Sequence, residues 1–177
     1  HIYLGFPAQF NGSVDPMLMA SRDGLHFYRW MEHPVIPKSA PADRHKIRSN
    51  HLWQEMVELP EEPDKLSMYA SENLGINGPH EDGSFPRVRR FTIRKDGFVS
   101  VRAETEHGEL VTKPLIFTGD KLTVNYNAQL GQAGEIRVEI LDGEKHPIPS
   151  FALKDCNPLS DDHIDAVVTW KGADDLS

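Results

Sequence analysis

Residues 121–126, KLTVNY, and residues 135–140, EIRVEI, place an apolar side chain at every second position. The alternating apolar residues are Leu122, Val124, Tyr126, Ile136, Val138 and Ile140. Strict alternation with polar residues between is typical of antiparallel strands that have one buried and one solvated face. Both stretches therefore predict strands of a β-sandwich.

Shorter runs of the same kind, separated by Gly- and Pro-containing turns, cover the rest of the chain, and no sustained 3.6-residue apolar period is visible. The predicted strands and hairpins are 17–20 with 25–28, 52–59 with 66–70 across the turn 60–64, a hairpin over 87–104, and strands in 108–119, 121–128, 134–143 and 166–172. Together they predict an all-β fold with very little helix.

Two Asp-Gly pairs, Asp23-Gly24 and Asp96-Gly97, lie at predicted corners. Tight turns between twisted strands need residues that tolerate positive φ, and Asp-Gly supplies them. We therefore predict a geometric role for both aspartates. The surroundings of Asp23 partly match the Asp-box hairpin of sialidase propellers, which leaves a role for Asp23 in a site as the alternative.

Composition limits the function classes. The 177 residues carry a net charge of −8, with acids and bases interspersed, so no basic stripe predicts nucleic-acid binding. No apolar run approaches the ~20 residues that span a bilayer. The single cysteine, Cys156, excludes an internal disulfide framework. The chain begins at His1, which suggests a processed or trimmed product.

A polar cluster on the predicted loop 34–48 and the strand after it is the first candidate site. Its residues are Asp43, Arg44, His45, Arg48, Ser49, Asn50, His51 and Trp53. Planar donors beside an exposed indole ring suit a sugar, because the donors meet hydroxyl or carboxylate groups and the ring stacks on the pyranose. The alternative is a solvated loop whose Trp53 enters the core of the next strand.

Five carboxylates are candidates for hydrolytic chemistry, which needs two acids across the scissile bond. They are Asp15, Asp23, Glu32, Glu55 and Glu72. Glu72 ends a predicted strand, where a side chain reaches the rim of a sheet, and Glu55 could face a channel. For each of them a surface or turn role is the alternative.

We predict no cofactor. The segment 160–165, SDDHID, could bind Ca²⁺ through Asp161, Asp162 and Asp165, but it lacks the glycine of a dedicated calcium loop. A solvated acidic turn is therefore the preferred interpretation of this segment.

Several strings resemble the C-terminal half of bacterial proteins similar to glycoside hydrolase family 32. They are DPMLMASRDGLHFYRW, SNHLWQEMVELP, LSMYASEN, RRFTIRKDGFVSV, GELVTKPLIFTGDKLTVNYNA, GEIRVEILDGE and DAVVTWKGADDLS. In that family a five-bladed β-propeller precedes a β-sandwich. The resemblance implies the last propeller blades in residues 1–88 and a sandwich in 89–177 that is incomplete at its C-terminus. The first blade, which carries the first catalytic acid in related glycosidases, has no counterpart here.

The resemblance implies a fragment of a glycosidase-like, carbohydrate-active protein that hydrolyses or binds extracellular or periplasmic glycans. We expect hydrolysis by two carboxylates without a redox cofactor, with Glu72 as general acid and Arg44, His51 and Trp53 as substrate contacts. The alternatives are a non-catalytic glycan-binding or adhesion module and a structural surface-assembly protein. An unfinished sandwich exposes a strand edge, so we also expect missing residues, a partner chain or strand exchange.

Overall fold

A computed structural model describes residues 2–11, 14–36, 50–72, 87–104, 106–129, 134–173 and 176. Within these ranges the regular elements are all strands, and no helix is present. The strands are β1 (Tyr3–Gly5), β2 (Ala8–Phe10), β3 (Val14–Pro16), β4 (Met19–Ser21), β5 (Asn50–Leu59), β6 (Glu62–Glu72), β7 (Arg87–Arg94), β8 (Thr123–Asn127) and β9 (Asp162–Val167). The all-β prediction is confirmed.

The chain divides into two compact units, His1–Val99 and Ser100–Ser177. We placed the domain boundary at about residue 88, inside β7. Strand β7 pairs along its whole length with β6 of the first unit. The assignment of propeller blades to one part and a sandwich to the other remains a prediction.

The first unit contains three small antiparallel sheets: β1 with β4, β2 with β3, and β5, β6 and β7 in that order. Ala20 and Tyr28 exchange both backbone hydrogen bonds at 2.9 Å, so the chain reverses around Asp23-Gly24 as predicted, although residues 25–28 form only this isolated bridge and no strand. Met17, Leu18 and Ile36 are each 2% exposed and belong to the core of this unit.

Strands β5 and β6 form the predicted hairpin, closed by a turn at residues 60–61. Both strands are longer than predicted. In β6 the apolar residues Leu66, Met68 and Ala70 are buried at alternate positions, and Glu72 continues the same series. Alternation of this kind buries one face of the sheet.

The predicted hairpin over 87–104 is wrong in its second half. Strand β7 ends at Arg94, and a turn follows in which the Gly97 N–H donates to the Arg94 carbonyl at 2.9 Å. Asp96 has a φ of 55° in this turn, which agrees with its predicted geometric role. Residues 98–104 form no strand after it.

The strand predicted within 108–119 is also absent. All described residues from 99 to 121 are exposed, so no apolar contact orders a strand here. Pro114 in addition lacks the N–H that a sheet ladder requires.

The second unit is built around Cys156, Val168 and Trp170, which are at most 2% exposed. The partly buried residues packed against them include Leu122, Val124, Val138, Ile140 and Phe151. Four of these are alternating residues of the two stretches 121–126 and 135–140, so their predicted inward orientation is confirmed.

Regular pairing in this unit is sparser than predicted. Strand β8 pairs antiparallel with β9, whereas residues 134–143 make only the isolated bridges of Ile136 with Leu159 and Leu141 with Pro147. The strand predicted at 166–172 lies mostly earlier in the chain, at Asp162–Val167.

Candidate functional site

The three-stranded sheet β5-β6-β7 holds three of the residues that the sequence singled out: Glu72, His51 and Trp53. Residues that pair directly across antiparallel strands point to the same side of a sheet, and successive residues alternate. The register therefore assigns each side chain to one of two faces. His51 pairs with Ser71, whereas Glu72 pairs with Asn50 and with Arg87.

One side of this sheet, the Glu72 face, is largely buried. Its members near the end of β6 are Asn50, Leu52, Met68, Ala70, Glu72, Arg87, Arg89 and Phe91. Asn50 is fully buried, and its side-chain amide lies 3.4 Å from the carbonyl of Ile36.

Glu72 is the acidic residue of this group, lies at the end of β6 and is 1% exposed. Its Oε2 accepts hydrogen bonds from Arg87 Nε at 2.8 Å and from Arg89 Nε at 2.9 Å. The side chains of Arg87 and Arg89 are 43% and 26% exposed. A buried carboxylate requires such partners, because an unpaired buried charge is very costly. The two arginines thus explain how Glu72 is accommodated in the core.

The opposite side, the Trp53 face, is more open. It carries His51, Trp53, Tyr69, Ser71, Val88 and Arg90. A register shift between Leu52 and Met56 interrupts the β5–β6 ladder beside Trp53. The contacts of Trp53 with Ser71 and Tyr69 place its ring on this side of the sheet.

Trp53 is 52% exposed. Its indole N–H donates to Ser71 Oγ at 3.0 Å, and its ring centroid lies 6.3 Å from that of Tyr69 with the planes tilted by 36°. The bond to Ser71 and the contact with Tyr69 orient the ring and leave part of it accessible. The alternative in which Trp53 enters the core is therefore wrong.

His51 and Arg90 add polar groups to the Trp53 face. His51 is exposed beside Ser71 in the register. Arg90 Nε donates to Ser67 Oγ at 3.0 Å, and its guanidinium also forms an ion pair with Glu62. An aromatic ring and polar donors on one face match the combination of groups that we predicted for a sugar contact.

Arg44 lies outside the described residues, as do Asp43, His45, Arg48 and Ser49. Of the predicted substrate contacts, the structure therefore brings together His51 and Trp53. It places Glu72 on the other face of the same sheet, so the predicted general acid and the predicted stacking ring do not converge.

The remaining candidate carboxylates occupy separate positions. Asp15 is 8% exposed on β3. Glu32 lies exposed after the first hairpin, and Glu55 lies exposed on β5.

Asp23 organises its turn. Its Oδ1 accepts the backbone N–H groups of Leu25 and His26 at 2.9 and 2.8 Å, and its Oδ2 lies 2.6 Å from His26 Nδ1. The backbone N–H of His26, followed by its ring, holds the pKa of the Asp23 carboxyl far below the ordinary aspartate range. Gly24 has a φ of +74°, as the turn demands. These contacts fit the predicted geometric role.

Four residues of the two faces were not predicted from the sequence: Tyr69, Ser71, Arg87 and Arg89. The signal was present in the alternation of SMYASE, residues 67–72, where Tyr69 and Ser71 fall out of phase with Met68, Ala70 and Glu72. The two arginines could be assigned to Glu72 only through the β6–β7 register.

No three His, Cys, Asp or Glu side chains within the described ranges form a group that could hold a metal ion. Asp161, Asp162 and Asp165 are described and do not form one; Asp162 Oδ2 instead accepts a hydrogen bond from Asn127 Nδ2 at 2.7 Å. Among all the described residues, no helix has the length and apolar character needed to cross a membrane.

Comparisons of the chain with protein-family models, curated proteins and solved structures found no match.

Proposed function

We propose that the chain is a glycan-binding β-module of a carbohydrate-active, glycosidase-like protein, and that the Trp53 face is its binding surface. The carrying observation is the half-exposed Trp53 ring, fixed by Ser71 and flanked by Tyr69 on an open sheet face. A ring that is already oriented loses little conformational entropy when a sugar stacks on it.

His51 and Arg90 supply polar groups on the same face of the sheet. Imidazole nitrogens and guanidinium N–H groups form hydrogen bonds with sugar hydroxyls, and guanidinium pairs with carboxylates where the sugar is acidic. Arg44 is proposed as a further contact, from its place in the sequence cluster.

The contribution of Trp53 to the free energy of sugar binding can be calculated from its exposed area. An aromatic residue buries about 150–250 Å² when fully covered. Trp53 is 52% exposed, and a sugar covers one side of the ring, so roughly 40–65 Å² leave water. At about 25 cal/mol per Å² this is roughly 1–1.5 kcal/mol. Loss of the ring should therefore weaken binding about tenfold.

The test is binding of the chain to an array of neutral and acidic oligosaccharides, followed by calorimetry with the best binder. Trp53→Ala should weaken binding about tenfold, and Trp30→Ala, a matched exposed tryptophan in the first hairpin segment, should leave it unchanged. In a Trp30→Phe background Trp53 is the exposed tryptophan, because Trp170 is 1% exposed. Saturating sugar should then protect the fluorescence from acrylamide quenching. Equal binding by the Trp53→Ala variant would reject this surface.

Hydrolysis is the second candidate, supported by the resemblance to glycosidases and by the position of the enclosed carboxylate of Glu72 at the end of β6. In the parent protein, Glu72→Gln should then abolish turnover and preserve glycan binding. For both candidate functions we propose that the parent protein is extracellular or periplasmic and contains propeller blades and a β-sandwich. The small antiparallel sheets of both units support that architecture.

A further inference from the structure

Residues 108–118 of the second unit, here called the apolar arm, form no helix or strand and carry several exposed large apolar side chains. The arm contains neither turn nor bend, and all of its residues are exposed. Its large apolar residues are Leu110, Val111, Leu115, Ile116 and Phe117, of which Ile116 is completely exposed at 104%. An exposed apolar segment that belongs to no sheet can pair its backbone with a strand of another chain.

We propose that the arms of two copies of this chain pair as antiparallel strands about a twofold axis at Val111. This interaction is independent of the proposed glycan-binding function. A twofold axis makes the same surface serve both copies, so residue i of one copy faces residue 222 − i of the other. Val111 of one copy then faces Val111 of the other, and Glu109 of each copy faces Lys113 of the other.

Charge complementarity selects a second copy as the partner. Glu109 and Lys113 carry opposite charges, are both exposed, and have three residues between them. In the antiparallel register each carboxylate meets the ammonium of the other copy, and opposite charges directly across a ladder stabilise it. The β-branched Val111 pair at the centre suits a pleated surface.

In this register the Val111 pair is either a hydrogen-bonded pair or a non-hydrogen-bonded pair. Pro114 is compatible with only one of these two alternatives. If the Val111 pair exchanges hydrogen bonds, the pair of Gly108 and Pro114 lies three residues away and does not. The missing N–H of Pro114 then points away from the partner strand, where nothing is lost. The other alternative would require a bond that proline cannot donate.

The test is the oligomeric state of the chain, measured by analytical ultracentrifugation over a wide concentration range. We expect a reversible dimer. Glu109→Lys and Lys113→Glu each turn two attractive pairs into two repulsive pairs and should weaken dimerisation about tenfold. The double variant exchanges the charges and should restore it. Lys121→Glu, an exposed residue after the arm, is the control for the change in net charge.

Backbone variants test which of the two alternatives the Val111 pair adopts. Val111→Pro should abolish the dimer, because it removes an N–H that each strand donates to the other, whereas Thr112→Pro removes an N–H that points away and should be tolerated. The arm contains no buried residue, so at a protein concentration too low for dimerisation the thermal unfolding midpoint should be the same in every variant. A monomer at all concentrations, or a dimer indifferent to Glu109→Lys and Val111→Pro, would overturn the proposal.

Discussion

Replacing Glu72 by glutamine tests the role of its two arginine contacts in the sheet. The side chain is 1% exposed, and Oε2 accepts two hydrogen bonds, from Arg87 at 2.8 Å and from Arg89 at 2.9 Å. Glutamine has nearly the same shape and removes the negative charge. Both guanidinium groups then lose their ionic partner.

The expected cost follows from the environment of the three groups. Removing one partner of a fully buried ion pair costs about 3–5 kcal/mol. Arg87 and Arg89 are 43% and 26% exposed, so water solvates them partly once the carboxylate is gone. We therefore expect a loss of about 2–3 kcal/mol in the free energy of opening the sheet.

Amide hydrogen exchange of β6 and β7 measures this quantity in the sheet itself, which matters in a chain of two compact units. A loss of about 2–3 kcal/mol corresponds to exchange that is about 30- to 150-fold faster. Glu55→Gln is the matched control, because Glu55 is exposed on β5 of the same sheet and should change opening by at most about 0.5 kcal/mol. Exchange in Glu72→Gln that equals the control would refute the structural role of the two ion pairs.

Two further predictions concern the first turn and the second core. Because the folded-state pKa of Asp23 lies below its ordinary value of 3.8, the contribution of this carboxylate to stability is complete above that value and is lost as the pH falls further. Carboxyl NMR should show the low titration midpoint, and Asp23→Ala should remove this part of the acid dependence. In the second unit Trp170 is 1% exposed and its N–H donates to the Val138 carbonyl at 3.0 Å. Trp170→Ala should destabilise this core by about 3–5 kcal/mol in urea unfolding, against less than about 1 kcal/mol for the 42% exposed Val167→Ala; equal effects would contradict the assigned core.

The features that the sequence predicted are those decided by nearby residues. The turn at residues 60–61 joins two strands, and the Asp23-Gly24 corner joins Ala20 of β4 to Tyr28, so in both cases local alternation and turn chemistry were sufficient. The inward set of residues 121–126 likewise follows from a period of two. The strand predicted in 108–119 failed because alternation alone does not supply a surface to pack against.

The composition of the two faces depends on register, which the sequence did not provide. Glu72 and Trp53 lie on different strands, and the ladder between those strands shifts between Leu52 and Met56. That shift amounts to two residues, and Trp53 lies within it, so the face of Trp53 follows from its contacts with Ser71 and Tyr69 and not from simple alternation. For this reason Glu72 and Trp53 could be named as candidate site residues from the sequence, but they could not be assigned to opposite faces of the sheet.

That division has a consequence for catalysis. A glycosidase brings its acid and its sugar-binding groups into one site around the substrate, because the acid must reach the glycosidic oxygen. Glu72 points into the buried face with two arginines, whereas the accessible ring of Trp53 lies across the sheet. One sugar on the Trp53 face therefore cannot be protonated by Glu72, and a hydrolytic site that used Glu72 would need another binding surface. The two proposed functions are thus separable by experiment: loss of binding in Trp53→Ala would assign the sugar to the open face, and loss of turnover with intact binding in Glu72→Gln would assign the chemistry to the buried one.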